Sequence, residues 1–234
     1  MTKKKINQKI ISQIEFYQMN NLNIIIGNSP KNRFKYSSNF ENRDKKGKLY
    51  LLKKKIEEIK NCNLKKNAKK IVFSDGNINS KIMLIGEGPG AQEDETGLPF
   101  VGAAGKLLDK MLEAIKLDRN NVYITNVVNY RPPNNRKPTD LEIKKYMPFL
   151  KIHIEIINPK ILVLLGSTAL QAIFDEKKII SKERGKWFKN KIGNCEPEII
   201  VSFHPAFLIR QPEQKKFAWN DLKLLRKKIN FLKL

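Results

Sequence analysis

Residues 81–90 read KIMLIGEGPG, and this stretch decides how the rest of the chain is interpreted. Residues 82–85 form a short apolar run, which is typical of a parallel strand buried on both faces. Three glycines and a proline follow where this strand must end, and glycine allows both a sharp turn and the close approach of a ligand. Open α/β sheets place their ligand sites at such strand ends, so the sequence predicts a pocket here.

The residues after this segment predict a helix and complete a strand–loop–helix unit. Apolar side chains recur at helical spacing between residues 103 and 115. A loop that binds nucleotide phosphates is the alternative, but such loops read G-x-G-x-x-G or G-x-x-x-x-G-K-[ST]. This loop fits neither pattern and carries Glu87, Glu93 and Asp94 instead of a lysine.

Strand and helix patterns alternate from residue 49 onward. Strands are predicted over residues 71–73, 82–85, 122–128, 161–165 and 199–202, and helices over 103–115, 139–157, 167–174 and from 215. Thr139 and Glu142 have the spacing of a capping box at the start of the second helix. The alternation predicts a three-layer α/β/α fold with a central, mostly parallel sheet of about four strands.

Composition and charge indicate the class of partner. The chain has 46 Lys and Arg residues against 23 Asp and Glu, a formal net charge of +23, which favours a polyanion such as DNA. An AT-rich genome would also enrich lysine. Residues 1–47 are expected to be a basic N-terminal extension, with a helix over 5–19 and a flexible segment, and residues 48–234 the main domain.

The apolar runs and the cysteines of the sequence indicate the cellular compartment. No apolar run reaches the roughly 18 residues that a membrane span needs. Cys62 and Cys195 lie far apart in the sequence, which indicates no disulfide framework and a reducing compartment. We therefore expect a cytoplasmic protein without a membrane span.

Two later segments join residues 86–102 in an ordered set of three motifs. Residues 123–139 read YITNVVNYRPPNNRKPT, and residues 202–210 read SFHPAFLIR. With these motifs the chain resembles the family 4 uracil-DNA glycosylases, from about residue 48 to the C-terminus. The resemblance implies the uracil-DNA glycosylase-like fold and an enzyme of base excision repair. Such an enzyme flips uracil out of DNA and hydrolyses the N-glycosidic bond, which leaves an abasic site.

The resemblance also implies roles for individual residues around the flipped base. Phe100 stacks on the base, although a core aromatic residue is the alternative. Asn126 reads the uracil edge, although asparagine after a strand is often a turn former. His204 donates to uracil O2 as charge develops on the leaving base. The loop around the base contains Gly86, Gly88, Pro89 and Gly90.

Two carboxylates match functional positions of the family. Glu87 or Glu93, with Glu87 favoured, would position the attacking water or stabilise the cationic sugar. Family 1 enzymes have an aspartate where this chain has Gly88, so that acid is missing here. Asp94 could instead cap the following loop.

Residues near the motifs are expected to contact the DNA itself. Leu208 and Ile209 are candidates for an apolar wedge that fills the space left by the flipped nucleotide. Arg210 would bind a phosphate, and Arg131 and Arg136 are further candidates for backbone contacts.

The chain departs from its family at the iron–sulfur cluster. Family 4 enzymes use four cysteines, and the corresponding positions here are Ile59, Cys62, Tyr130 and Tyr146. One thiolate does not satisfy a cluster that needs four ligands. We predict no cluster and no metal, with the two tyrosines and Ile59 filling the space by apolar packing and a hydroxyl hydrogen bond.

Three functions stay open on the sequence alone. The first is a cluster-free, monomeric uracil-DNA glycosylase. The second is a non-catalytic DNA-binding relative that acts with replication or repair proteins. The third is a glycosylase for another deaminated base. The joint presence of acid, aromatic, amide and imidazole groups favours an enzyme, because a binding protein does not need the whole set.

Overall fold

The strands of the protein form one mixed sheet. The computed structural model describes residues 43–174 and 178–234. Its strands are β1 (Asp75–Gly76), β2 (Ile82–Gly86), β3 (Tyr123–Asn126), β4 (Ile161–Leu165), β5 (Trp187–Lys189) and β6 (Glu198–Ser202). Within the described residues these six strands lie in the order β1-β3-β2-β4-β6-β5.

The four central strands confirm the predicted parallel sheet. Strand β2 pairs in parallel with β3 and β4, and β4 pairs in parallel with β6. The predicted number of strands was too low, because β1 and β5 add short antiparallel edges. Residues 71–73, predicted as a strand, have no regular structure. Instead, the amide of Val72 donates to the carbonyl oxygen of Asn129 at 2.8 Å.

Helices surround the sheet, and the four predicted over 103–115, 139–157, 167–174 and from 215 are present. The helices are α1 (Lys45–Glu57), α2 (Asn63–Asn67), α3 (Ala91–Thr96), α4 (Ala103–Glu113), α5 (Asp140–Ile157), α6 (Ser167–Phe174), α7 (Ile180–Glu183), α8 (Pro205–Arg210) and α9 (Lys215–Phe231). Short 3₁₀ turns cover Pro133–Asn135 and Pro212–Gln214. The predicted capping box is present at α5, where Thr139 Oγ1 accepts from the Glu142 amide at 3.2 Å and Glu142 Oε2 accepts from the Thr139 amide at 2.7 Å.

The central strands are buried on both faces, and their side chains point alternately to the two helix layers. Ile82 and Leu84 of β2 pack in one apolar cluster with Leu112 of α4 and Leu225 of α9. Met83 and Ile85 are equally buried and point to the opposite face, where α6 contacts β2 and β4 and α1 packs on α5. Burial of each such side chain contributes about 2 kcal/mol. The two cores therefore fix the sheet between helix layers.

The structure describes only the last few residues of the predicted N-terminal extension. The helix predicted over residues 5–19, and most of the predicted N-terminal extension, lie outside the described residues. The first described helix begins at Lys45, three residues before the expected start of the main domain. No helix in the described part of the chain has the length and apolar character needed to cross a membrane.

Candidate active site

A cavity of about 540 Å³ opens at the carboxyl ends of the parallel strands. Loops after β2, β3, β4 and β6 contribute its walls, because parallel strands end at one edge of the sheet. Of the predicted site residues, those that line it are Glu87, Gly88, Pro89, Gly90, Glu93, Phe100, Asn126, Arg136, His204 and Arg210. The predicted residues Gly86, Arg131, Leu208 and Ile209 lie beside or behind this cavity.

Gly86 lies behind the pocket and lets two of its key groups meet. It ends β2 and pairs in register with Asn126 at the end of β3. A Cβ atom on Gly86 would lie 2.4 Å from Asn126 Oδ1 and 2.4 Å from Phe100 Cζ. The absence of a side chain at this position therefore allows the amide and the aromatic ring to approach each other.

Phe100 has an unusual backbone conformation. Its φ angle is 55°, in the left-handed region that residues with a side chain rarely adopt. Its carbonyl oxygen lies against α4, where a Cβ atom on Gly105 would be only 1.7 Å away. The ring is buried and stacks on His204, with centroids 5.5 Å apart and an interplanar angle of 29°. Strain of this kind persists when the surroundings fix it, and it concentrates at functional sites.

The carboxylate of Glu93 anchors the loop that carries Phe100. One oxygen accepts from the amides of Val101 at 2.9 Å and Gly102 at 2.8 Å, and the other accepts from the amide of Gly90 at 3.1 Å. These bonds also explain α3, which the sequence reasoning missed inside a glycine-rich loop. The geometry favours an anchoring role, and the catalytic role of Glu93 stays a prediction.

Asp94 ties the same loop to the segment before β1. Its buried carboxylate accepts from the Lys69 amide at 2.9 Å. The guanidinium of Arg131 lies 3.9 Å from the other oxygen of Asp94. Arg131 is therefore directed towards this carboxylate.

Asn126 presents an unsatisfied hydrogen-bond acceptor. Its side chain is 3% exposed, and Oδ1 has no hydrogen-bond partner in the described part of the protein. A buried polar atom without a partner costs about 1–3 kcal/mol. Because Asn126 lines the cavity, a ligand that brings an N–H donor would satisfy this oxygen.

His204 is held as a neutral imidazole. It is the N-cap of α8, and its Nδ1 accepts from the Ala206 amide at 3.1 Å. Burial lowers the pKa of His204 to about 4. The positive charge of Arg210 also lowers this pKa, whereas the negative charge of Glu93 raises it. A neutral imidazole that accepts at Nδ1 carries its proton on Nε2. His204 therefore has one N–H to offer to a ligand.

Glu87 has a partner that the sequence reasoning missed. The hydroxyl of Thr168, in the first turn of α6, donates to the Glu87 carboxylate. Thr168 is buried and follows β4 at the same edge of the sheet. Its position just after a buried strand is the signal that could have identified it.

The mouth of the cavity is basic. Lys137 Nζ lies 3.3 Å from Ser167 Oγ, and both residues line the cavity although neither was predicted. Arg136 donates twice to the carboxylate of Glu142, at 2.7 Å each. Arg210 lies on the opposite rim, at the end of α8. These cations favour a phosphate backbone at the opening.

The two candidate wedge residues differ in exposure. Leu208 is 1% exposed and belongs to the apolar core beneath α8, whereas Ile209 is 45% exposed. Of the two, only Ile209 presents its side chain to an approaching duplex.

The positions that correspond to the iron–sulfur ligands carry one thiol, two phenols and one aliphatic side chain. Cys62 Sγ and the Tyr146 hydroxyl are 3.2 Å apart and buried. Burial, with the charges of Glu57 and Cys62, raises the pKa of Tyr130 to about 12. Burial and the bond to Cys62 also raise the pKa of Tyr146. With the aliphatic Ile59 in the fourth position, these side chains do not fit a cluster that needs four thiolates.

Comparison with known proteins gives a consistent family. A model of the uracil DNA glycosylase superfamily matches residues 73–223. The type-4 uracil-DNA glycosylase of Thermotoga maritima is 43% identical over 166 residues, which are 69% of this chain and 83% of the relative. That of Archaeoglobus fulgidus is 40% identical over 174 residues, 73% of this chain and 87% of the relative. A DNA polymerase of Bacillus phage SP01 is 32% identical over 163 residues, 69% of this chain but 17% of the polymerase.

Proposed function

The chain belongs to the uracil DNA glycosylase superfamily, and on this premise we propose that it hydrolyses the N-glycosyl bond between uracil and deoxyribose in DNA. The product is an abasic site, the first intermediate of base excision repair. The unpartnered Oδ1 of Asn126 in the cavity is the observation that carries this proposal.

Asn126 discriminates uracil from cytosine. Its Oδ1 accepts from uracil N3–H, and its NH₂ group donates to uracil O4. Cytosine has an acceptor at N3 and an amino group at C4, so both pairings would oppose like groups. Each polar group left unpaired in a buried site costs about 1–3 kcal/mol, which is the source of the selectivity.

Phe100 supplies the stacking surface for the flipped base. Removing a base from the duplex costs a few kcal/mol, roughly the value of base unstacking and unpairing. Stacking on an aromatic ring returns about 1–3 kcal/mol per base. Because the ring is already fixed beside Asn126, stacking and edge recognition occur together.

His204 and Glu87 act on opposite ends of the bond that breaks. As the bond lengthens, negative charge grows on uracil O2, and the Nε2–H of His204 donates to it. The neutral state of the imidazole follows from its low pKa. The carboxylate of Glu87, oriented by Thr168, positions the water that attacks the cationic sugar. Glu93 fixes the loop, and of the two carboxylates Glu87 is favoured for the catalytic role.

Basic side chains at the cavity mouth bind the DNA backbone. Lys137, Arg136 and Arg210 contact phosphates, and Ile209 fills the space that the flipped nucleotide leaves. Binding is expected to weaken with salt, because each neutralised phosphate releases counterions. Cys62 and Cys195 are both free thiols, which supports a reducing, cytoplasmic location.

We extend the proposal to catalysis without an iron–sulfur cluster, in contrast to type-4 relatives. The support is the donor set of Cys62, Tyr130 and Tyr146 described above. Protein purified without oxygen should show no broad absorption near 400 nm, roughly the region of thiolate–iron charge transfer. A type-4 relative prepared in the same way is the positive control. Stoichiometric iron together with that absorption would contradict this part of the proposal.

A second candidate function is favoured by one comparison. A segment of the phage SP01 DNA polymerase is similar to this chain. This favours a non-catalytic DNA-binding relative that acts together with replication proteins and does not hydrolyse the N-glycosyl bond.

One experiment separates these functions. Labelled single- and double-stranded oligonucleotides that carry one uracil are incubated with the protein and then cleaved with alkali at abasic sites. We expect scission at uracil with the native protein, none with Asn126→Ala, and normal scission with Asn120→Ala, which changes an exposed asparagine that does not line the cavity. Binding without scission would support the second candidate, and scission only at hypoxanthine or xanthine would change the substrate.

A further inference from the structure

Arg119 lies outside the three sequence motifs, yet it contacts the loop that carries Phe100. It lies in the turn between α4 and β3, 19 residues after Phe100. Its Nη1 donates to the carbonyl oxygen of Pro99 at 3.2 Å, and its Nη2 donates to that of Phe100. One guanidinium thus binds the two successive carbonyl groups at the strained residue.

Two carboxylates hold the guanidinium in place. Arg119 Nη1 donates to Asp75 at 2.5 Å, and Nε donates to Asp109 at 2.9 Å. Although partial burial acts to lower it, the hydrogen bonds to Asp109 and Asp75 raise the pKa of Arg119 above its ordinary value. The planar fork of an arginine can serve four acceptors in this way, whereas a lysine ammonium cannot reproduce the geometry.

An anionic and a cationic side chain therefore bind the Phe100 loop, Glu93 at its amides and Arg119 at its carbonyl groups. The carboxylate of Glu93 accepts from the amides that follow Phe100, and the guanidinium of Arg119 donates to the carbonyls at and before it. Phe100 has a φ angle of 55°, which its own residue type does not favour. If the hydrogen bonds of either Glu93 or Arg119 were lost, the loop would relax towards an ordinary backbone conformation and the ring of Phe100 would move.

We propose that Arg119 is a positioning residue for uracil recognition, which holds the Phe100 ring against Asn126 and His204 before the base arrives. Arg119 does not line the cavity and is not a catalytic residue. The inference rests on the proposed function, because it assigns Arg119 to the same pocket. A displacement of 1 Å at a reacting site can lower a rate by about 100-fold, so loss of this contact should be visible in excision.

The test is a double-mutant cycle in single-turnover excision. Arg119→Met should lower the rate by about 10- to 100-fold. In a Phe100→Leu background the same change should have little further effect, because its target is already gone. Arg226→Met in α9 is the matched control and should excise at the native rate.

Each outcome has a defined meaning. Losses that multiply in the double variant would overturn the inference, because Arg119 would then act on the fold and not through Phe100. A native rate in Arg119→Met would overturn it as well. If Arg119→Met does not fold, Arg119→Lys enters the same cycle with the charge retained between Asp75 and Asp109. A native protein that does not excise uracil would instead refute the proposed function.

Discussion

Replacing Gly86 with alanine should disable the pocket without removing any group from it. The new Cβ atom would lie 2.4 Å from both Phe100 Cζ and Asn126 Oδ1, whereas ordinary contacts begin at 3.4 Å. The ring and the amide must therefore each move away from the new Cβ atom by about 1 Å. A misplacement of this size can lower the rate by about 100-fold. That corresponds to about 2.7 kcal/mol in the activation barrier. The φ angle of Gly86 is not positive, so alanine adds no backbone strain there.

The assay is single-turnover excision from a labelled uracil oligonucleotide, with circular dichroism and thermal unfolding to verify the fold. Gly47→Ala is the matched control, because the three atoms nearest to a Cβ atom at that position in α1 belong to the side chains of Asp44 and Arg43 and not to the cavity. We expect native excision in the control and about 1% of the native rate in Gly86→Ala. A native rate in folded Gly86→Ala would refute the idea that ring and amide must meet over residue 86.

Three further predictions address other contacts. Thr168→Val should lower the excision rate about tenfold, since it removes the hydroxyl bound to Glu87, whereas Thr168→Ser should retain activity; equal rates would contradict this role. Burial lowers the pKa of His153 to about 3, so the unfolded chain takes up a proton first as the pH falls below 6.5, and this group alone should lower the free energy of unfolding by about 2 kcal/mol between pH 7 and 5. Because the pKa of His204 is lowered too, His153→Gln should still lose stability in urea titrations, but by about 2 kcal/mol less than the native protein; equal losses in the two proteins would contradict this assignment. Tyr146→Phe should lower the free energy of unfolding by about 1 kcal/mol, because it leaves the Cys62 thiol without its partner; unchanged urea midpoints would argue against that bond.

The sequence predicts those parts of the fold that repeat a local pattern. The apolar runs of β2 and β4 and the capping box of α5 are such patterns, and the structure contains all three. Strands β1 and β5 have two and three residues, too few for any periodicity to appear. Helix α3 was missed because its six residues are too few for a helical period to appear, and its start depends on the bond between the Gly90 amide and the Glu93 carboxylate.

In the candidate site, too, some features can be predicted from the sequence and others depend on the folded structure. The motif residues could be predicted because they resemble a known family in type and order. The position of Thr168 just after a buried strand places it at this edge of the sheet, but its bond to Glu87, 81 residues away in the sequence, exists only in the folded protein. Leu208 and Ile209 are adjacent apolar residues, and only the orientation of α8 decides which of them is exposed.

The convergence of separate strand ends in one cavity has a consequence for how this protein can evolve. In the proposed function, base selection depends on Asn126 at the end of β3, whereas the leaving-group contact comes from His204, which follows β6. A substitution at the end of β3 can thus alter the preference for a lesion while the contact to the leaving group stays unchanged. We expect laboratory selection for new lesions to accumulate changes around Asn126 and to spare His204.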